Sequence, residues 1–127
     1  MSRAVVDTSA LVALLIGEPG SDFMKAAGPG YLLSVVNLAE TIDVLMRKGL
    51  PFEAALRAME IVDIEIADFD RALAEDTGAL AAITKRLGLS FGDRACLALA
   101  RREKLPVFTA DRAWRDLDIG VEIRLIR

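Results

Sequence analysis

The stretch Val5-Val6-Asp7-Thr8-Ser9-Ala10-Leu11 decides the fold, because an apolar run meets an acidic residue where the pattern turns helical. Residues 3–6 have the composition of a buried strand, and the apolar side chains of residues 11–16 follow helical spacing. Asp7 therefore stands between a strand and a helix. In an α/β protein the carboxyl ends of parallel strands border the crevice where ligands bind, so Asp7 is either a helix cap or a functional group.

The rest of the chain repeats this alternation of strands and helices. Further strands are predicted at 31–35, 61–66, 107–109 and 121–126. Helices are predicted at 8–16, at 21–27 with Ser21 as its cap, from either Ser34 or Asn37 to 47, at 51–59, at 68–87, from 90 onward, and briefly from 111, with Gly28-Pro29-Gly30 as a turn. Such an order implies βαβ units and a mostly parallel, doubly wound sheet. The length of 127 residues predicts one domain over residues 1–127.

Composition excludes several kinds of chemistry. The chain has no histidine, which rules out serine–histidine and cysteine–histidine nucleophile pairs and histidine-bound zinc. Its single cysteine, Cys96, lies in an apolar run and is expected to be a buried, inert thiol. No run is apolar enough for a membrane span, and the signal-peptide pattern is missing, so we expect a cytoplasmic protein. A hydrophobic fraction of 54% suggests that a partner or second subunit covers part of the surface.

Charge is distributed unevenly along the chain. The net charge is −3, yet residues 85–115 contain eight basic and three acidic side chains, whereas residues 53–76 contain eight acidic and two basic ones. Because salt screens distant charges, a local basic stretch can bind phosphate even on an acidic protein. The alternative interpretation of the basic stretch is a solvated helix face.

Four acids occupy comparable places near predicted helix starts: Asp7, Glu40, Asp93 and Asp111. Each has a structural explanation, as an N-cap for Asp7 and Asp111, as part of a capping box with Ser90 for Asp93, and as a solvent-facing side chain for Glu40. Helix N-termini in an open parallel sheet share one edge, however, so these carboxylates are expected to converge. Converging anions repel one another unless a cation neutralises them, which favours bound Mg²⁺ or Mn²⁺.

The chemistry that requires such a cluster is phosphodiester hydrolysis. Divalent cations lower the pKa of the attacking water and stabilise charge on the phosphoryl oxygens. The hydroxyls of Thr8 or Ser9 and of Thr109 are expected either to orient the ligands or bound water or to serve as ordinary turn and cap groups. Arg94 and Arg112 each follow a proposed ligand and are candidates for contacts to the phosphates that flank the scissile bond, with a solvated surface role as the alternative.

These motifs together resemble those of the PIN-domain ribonucleases. The resemblance rests on Asp7-Thr8-Ser9, Glu40, Asp93 and Thr109-Ala110-Asp111, in this order and in a chain of this length, and it extends to the toxins of VapBC-type toxin–antitoxin pairs. It implies a three-layer α/β/α fold with a central, mostly parallel five-stranded sheet. It also implies that Asp7, Glu40, Asp93 and Asp111 bind Mg²⁺ or Mn²⁺ and cleave RNA.

Further expectations follow from the same resemblance. Asp116 is a candidate for the additional acid that family members often carry downstream of the fourth position. The resemblance also implies a homodimer and a cognate antitoxin whose C-terminal segment covers the active site.

Two other functions are consistent with the sequence. A PIN-like module could bind RNA or a partner without cleaving it, although the intact acids argue against this. A receiver-like signalling domain is also doubly wound and binds Mg²⁺, and it would explain Thr109 after the fourth strand. That alternative lacks paired acids after the first strand and a lysine after the fifth.

Overall fold

The computed structural model describes residues 4–28 and 30–127, so Arg3 of the predicted first strand and Pro29 of the predicted turn lie outside the described residues. Strands and helices alternate as expected. The strands are β1 (Ala4–Val6), β2 (Tyr31–Ser34), β3 (Ile64–Ala67), β4 (Val107–Thr109) and β5 (Ile123–Leu125). The helices are α1 (Thr8–Ile16), α2 (Ser21–Ala27), α3 (Val35–Arg47), α4 (Phe52–Ile61), α5 (Arg71–Thr84) and α6 (Phe91–Glu103), with short 3-10 helices at Lys85–Leu87 and Arg112–Asp116.

The five strands form one sheet in the order β3-β2-β1-β4-β5, and every neighbouring pair is parallel. β1 is central, because Val5 pairs with Leu32 on one side and with Val107 on the other. Parallel neighbours need crossover connections, which the helices supply. The predicted α/β fold with a parallel five-stranded sheet is confirmed.

Helices cover both faces of the sheet, which makes the fold three-layered. Val5 packs with Leu80 and Leu97, from α5 and α6, whereas its neighbour Val6 packs with Leu11 of α1 on the opposite face. This alternation follows from the two-residue period of a strand. Cys96 is fully buried in the first of these cores, as predicted.

Some predicted boundaries are wrong, for local reasons. α4 continues to Ile61, and β3 begins only at Ile64, so the apolar residues at 61 and 62 do not start the strand. α5 begins at Arg71 rather than 68, because the Asp70 side chain caps it by accepting from the backbone N–H of Leu73 at 2.9 Å. Ser21 does not cap α2, since its hydroxyl lies buried without a partner among the described residues and Gly20 is the N-cap.

We find no helix in residues 4–28 and 30–127 with the length and apolarity needed to span a membrane.

Candidate active site

Asp7 follows β1 directly and caps α1. Its Oδ1 accepts from the backbone N–H of Ala10 at 2.8 Å, which is the expected geometry of an N-cap. Two hydroxyls also donate to the carboxylate, with Ser9 Oγ at 2.8 and 2.9 Å from its two oxygens and Thr109 Oγ1 at 2.6 Å from Oδ2. Asp7 is only 4% exposed. The predicted cap is therefore confirmed, and it fixes the carboxylate at the carboxyl edge of the sheet.

The same two hydroxyls join the ends of β1 and β4. Ser9 Oγ accepts from the backbone N–H of Ala110 at 3.0 Å, and Thr109 Oγ1 accepts from that of Asp111 at 3.0 Å. Each hydroxyl thus donates to Asp7 and accepts from the segment that carries Asp111. This arrangement agrees with the orienting role considered for Ser9 and Thr109.

Glu40 lies on α3 and does not simply face solvent. Its Oε1 accepts from Thr8 Oγ1 at 2.9 Å and from Asn37 Nδ2 at 2.8 Å. Asn37 is 1% exposed and also donates to the backbone carbonyl of Gly92 at 3.1 Å. Thr8 and Asn37 therefore hold this carboxylate close to the starts of α1 and α6.

Asp93 and Asp111 are both tied to helix starts. Asp93 forms a capping box with Ser90, since Asp93 Oδ2 accepts from the Ser90 N–H at 3.0 Å and Ser90 Oγ accepts from the Asp93 N–H at 3.2 Å. Asp111 caps the 3-10 helix at Arg112–Asp116 by accepting from the Ala113 N–H at 3.0 Å. Both predicted caps are confirmed.

All four acids line one cavity of about 400 Å³. Thr8, Ser9 and two apolar side chains, Val12 and Val44, also line it, as do three charged residues that the sequence did not single out: Glu18, Lys48 and Arg127. Lys48 Nζ pairs with Glu18 at 3.1 Å, and Arg127 donates to the carbonyl of Pro19. The four acids therefore converge on one cavity, as their shared position at the sheet edge predicted.

Burial and mutual repulsion make this cavity unfavourable for unneutralised carboxylates. Burial raises the pKa of Asp7 from 3.8 to about 6, against the hydrogen bonds from Thr109, Ala10 and Ser9, and the charge of Asp93 adds to the rise. Burial also raises the pKa of Asp93, and the charges of Glu40 and Asp111 act in the same direction. The charge of Asp93 therefore interacts with the charges of the other three acids.

The donor chemistry fits a hard divalent cation. Carboxylate oxygens are the ligands that Mg²⁺ and Mn²⁺ prefer, and a cation would relieve the repulsion that raises the pKa of Asp93. Among the residues that the structure describes, however, no three His, Cys, Asp or Glu side chains lie close enough together to enclose a metal ion. The acids share the cavity without forming a closed ligand set, because each is held by its own cap or clamp.

Three other predicted residues lie elsewhere. Asp116 is exposed at the end of its 3-10 helix and does not line the cavity. Arg94 is half-buried and donates to the backbone carbonyl of Thr77 at 2.8 Å, which joins α6 to α5. Arg112 is exposed beside Asp111 but outside the cavity lining.

Sequence reasoning considered Asn37 only as an alternative to Ser34 for the start of α3, where the structure has Ser34 as the N-cap, and it assigned no role to the charged residues Glu18, Lys48 and Arg127 in the cavity lining. Asn37 precedes Glu40 by three residues, so the two share a helix face, and that spacing was the available signal. Lys48 and Arg127 lie far apart in the sequence and line the same cavity only because of the tertiary structure, which no local pattern reports.

A larger depression, of about 530 Å³, lies beside β3. Its one basic side chain, Arg102, already pairs with Asp70 at 3.0 Å and with Glu103 at 3.2 Å. Glu65 and Asp68 also line it, so this depression is acidic as well, but none of the four predicted acids lies in it.

Comparisons with known proteins agree with this geometry. The PIN domain family model matches residues 4–120. The ribonuclease VapC of Mycolicibacterium smegmatis is 31% identical in an alignment of 128 residues. The alignment covers 91% of this chain and 97% of that protein. In structure, the chain resembles DNA-bound VapBC of Salmonella typhimurium, with a TM-score of 0.77, 22% identity and full coverage of both chains. It also resembles Mycobacterium tuberculosis VapC20, a toxin that cleaves the sarcin-ricin loop, with a TM-score of 0.76, 21% identity and coverage of 94% and 98%.

Proposed function

The chain belongs to the PIN-domain family, as a VapC-type ribonuclease, and from that premise we propose that Asp7, Glu40, Asp93 and Asp111 bind Mg²⁺ or Mn²⁺ and hydrolyse RNA phosphodiester bonds. The observation that carries the proposal is that these four acids, contributed by separate parts of the chain, line one cavity at the carboxyl edge of the sheet. Family membership also removes the receiver-like alternative.

The chain's own residues account for the geometry of the site. Ser9 and Thr109 hold Asp7, and Thr8 and Asn37 hold Glu40, so two carboxylates are oriented before any ligand arrives. A cation held by the four acids would supply a water of lowered pKa and neutralise charge on the phosphoryl oxygens. No histidine is needed for this reaction, which agrees with the composition.

Basic residues near the cavity would hold the RNA backbone. Lys48 and Arg127 line the cavity itself, and Arg112 is exposed next to Asp111. Phosphates flanking the scissile bond would pair with these side chains. Arg94 is a weaker candidate than the sequence indicated, because one of its terminal nitrogens donates to Thr77.

The test is cleavage of a short single-stranded RNA in the presence of Mn²⁺. Asp93→Asn and Glu40→Gln should lower the rate at least about 100-fold, because each removes a carboxylate charge that binding and catalysis require. Asp43→Asn is the matched control, since Asp43 lies on the same helix as Glu40 but forms an exposed ion pair with Arg47 at 3.0 Å. Full activity of the Asp93 or Glu40 variant, or of the wild type in EDTA, would contradict the mechanism.

RNA binding without cleavage by the wild type would instead support the catalytically silent alternative.

Asp116→Asn tests the accessory role proposed for Asp116. If Asp116 has that role, the variant should lose part of the cleavage rate.

We also propose that this protein is cytoplasmic, that it binds a cognate antitoxin and that it forms a homodimer. The structural relatives include the DNA-bound VapBC of Salmonella typhimurium and a toxin–antitoxin complex from Klebsiella pneumoniae. The chain exposes large apolar side chains that a partner would cover, among them Ile61, which is 85% exposed, and Ile83, which is 59% exposed. Co-purification with the product of the adjacent reading frame tests the binding of an antitoxin, and light scattering at micromolar concentration tests the homodimer.

A further inference from the structure

We propose that Gly92 is a positioning residue for Glu40, and that the missing side chain at position 92 is what allows this carboxylate to reach the cavity. A Cβ built on Gly92 would overlap both carboxylate oxygens and the carboxyl carbon of Glu40, at distances well under 3.0 Å. The Glu40 carboxylate therefore occupies the space that any other residue at position 92 would fill. The inference rests on the proposed function only insofar as Glu40 is a cation ligand.

Backbone conformation does not explain this glycine. Gly92 lies in the first turn of α6, and its φ angle is not positive, unlike that of Gly17 at the end of α1. An alanine would satisfy the same backbone and would favour the helix. What alanine cannot do is leave room for Glu40, so the reason for glycine at this position is steric.

Hydrogen bonds around the carboxylate support the same role. Asn37 donates one amide hydrogen to Glu40 Oε1 at 2.8 Å and the other to the carbonyl of Gly92 at 3.1 Å, which ties the start of α6 to the acid on α3. Asn37 Oδ1 is buried and has no partner within the described residues. An unpaired buried carbonyl oxygen lowers the free energy of unfolding. The two hydrogen bonds that the Asn37 side chain donates are therefore the contacts that favour an asparagine at this position.

The two donors also decide which oxygen is available. Thr8 and Asn37 both contact Oε1, and within residues 4–28 and 30–127 no hydrogen bond to Oε2 is found. Oε2 is therefore the oxygen left for a cation. Gly92, Asn37 and Thr8 form what we call the Glu40 seat, in which Gly92 provides the space and the other two provide the direction.

The matched variants are Gly92→Ala and Gly78→Ala. Both replace a helical glycine, but a Cβ at Gly78 on α5 meets nothing within 4 Å. We expect Gly92→Ala to weaken Mn²⁺ binding by about 10- to 100-fold in isothermal titration calorimetry, the loss typical of removing support from a metal ligand. Gly78→Ala should leave the affinity unchanged. Since the carboxylate is the end of a flexible side chain, Gly92→Ala should still fold.

Melting temperatures in EDTA test the seat without any metal. In a Glu40→Ala background, Gly92→Ala should raise Tm by about 2–4 °C through helix propensity, and Gly78→Ala should give a similar rise. In the wild-type background that gain should be missing, because Glu40 must leave the seat and lose its bonds to Thr8 and Asn37.

Two results would overturn the inference: an equal Tm gain from Gly92→Ala in both backgrounds, or an unchanged Mn²⁺ affinity. A wild type that takes up no Mn²⁺ would contradict the proposed function, and the Tm comparison would then decide the inference alone.

Discussion

Replacing Asp7 by Asn should stabilise the metal-free protein at neutral pH while removing its activity. The carboxyl group is almost fully buried, and this burial raises its pKa from 3.8 to about 6. One pKa unit corresponds to about 1.4 kcal/mol, so ionised Asp7 lowers the free energy of unfolding by about 3 kcal/mol at pH 7.5. Asn keeps the cap, because its side-chain oxygen accepts from the Ala10 N–H as Asp does.

The sign of the pH dependence follows from the direction of the pKa change. Below about pH 3.8 both the folded and the unfolded states hold the proton, and Asp7 has no effect on stability. Between that pH and about 6 the unfolded state releases the proton while the folded state retains it, so the free energy of unfolding falls as pH rises. Above that range the full penalty of about 3 kcal/mol is present.

Urea unfolding in EDTA at several pH values from 4 to 7.5 measures this effect. The difference in unfolding free energy, Asp7→Asn minus wild type, should rise by about 2.4 kcal/mol over this range, because about 0.6 kcal/mol of the penalty is already present at pH 4. Changed hydrogen bonds to Ser9 and Thr109 add an offset, but that offset does not vary with pH. Asp43→Asn, an exposed substitution, should stay within about 0.5 kcal/mol of the wild type.

A flat difference curve would refute the reasoning. A falling curve would mean that the bonds from Thr109, Ala10 and Ser9 outweigh burial and hold the pKa of Asp7 below its ordinary value. Adding Mn²⁺ at pH 7.5 should stabilise the wild type, by about 2.7 kcal/mol at 100 times Kd, and leave Asp7→Asn unchanged.

Three further substitutions test other parts of the structure. Thr109→Val should lower the unfolding free energy by about 1–3 kcal/mol in urea, because the buried hydroxyl donates to Asp7 and accepts from the Asp111 N–H. Lys48→Ala, made in an Asp93→Asn background to prevent cleavage, should weaken RNA binding in fluorescence anisotropy and reduce its salt slope by about 1. An unchanged slope would show that Lys48 does not contact phosphate. Leu97→Ala should cost about 2–5 kcal/mol in thermal or urea unfolding, since Leu97 is fully buried between the sheet and α5.

The sequence by itself determined the order of the elements, the parallel sheet and the caps formed by three of the four predicted acids, although its predicted cap at Ser21 was wrong. Asp7 caps α1, Ser90 and Asp93 form a capping box, and Asp111 caps the following 3-10 helix, all as predicted. These features are predictable because a cap joins residues two or three apart, and because apolar spacing reports which face of an element is buried. Boundaries were less certain where one apolar run passes from helix to strand, as at Ile61.

Only the tertiary structure decided how the acids are held and what surrounds them. Glu40 depends on Thr8, 32 residues away, and on the space left by Gly92, in an element that contacts α3 only through tertiary packing. Lys48 reaches the same cavity, whereas Asp116 does not line it. The physical reason is that strand order and helix packing set these distances, and neither leaves a trace in the spacing of neighbouring residues. Asp7 could be recognised from its own neighbours in the sequence; the seat of Glu40 could not.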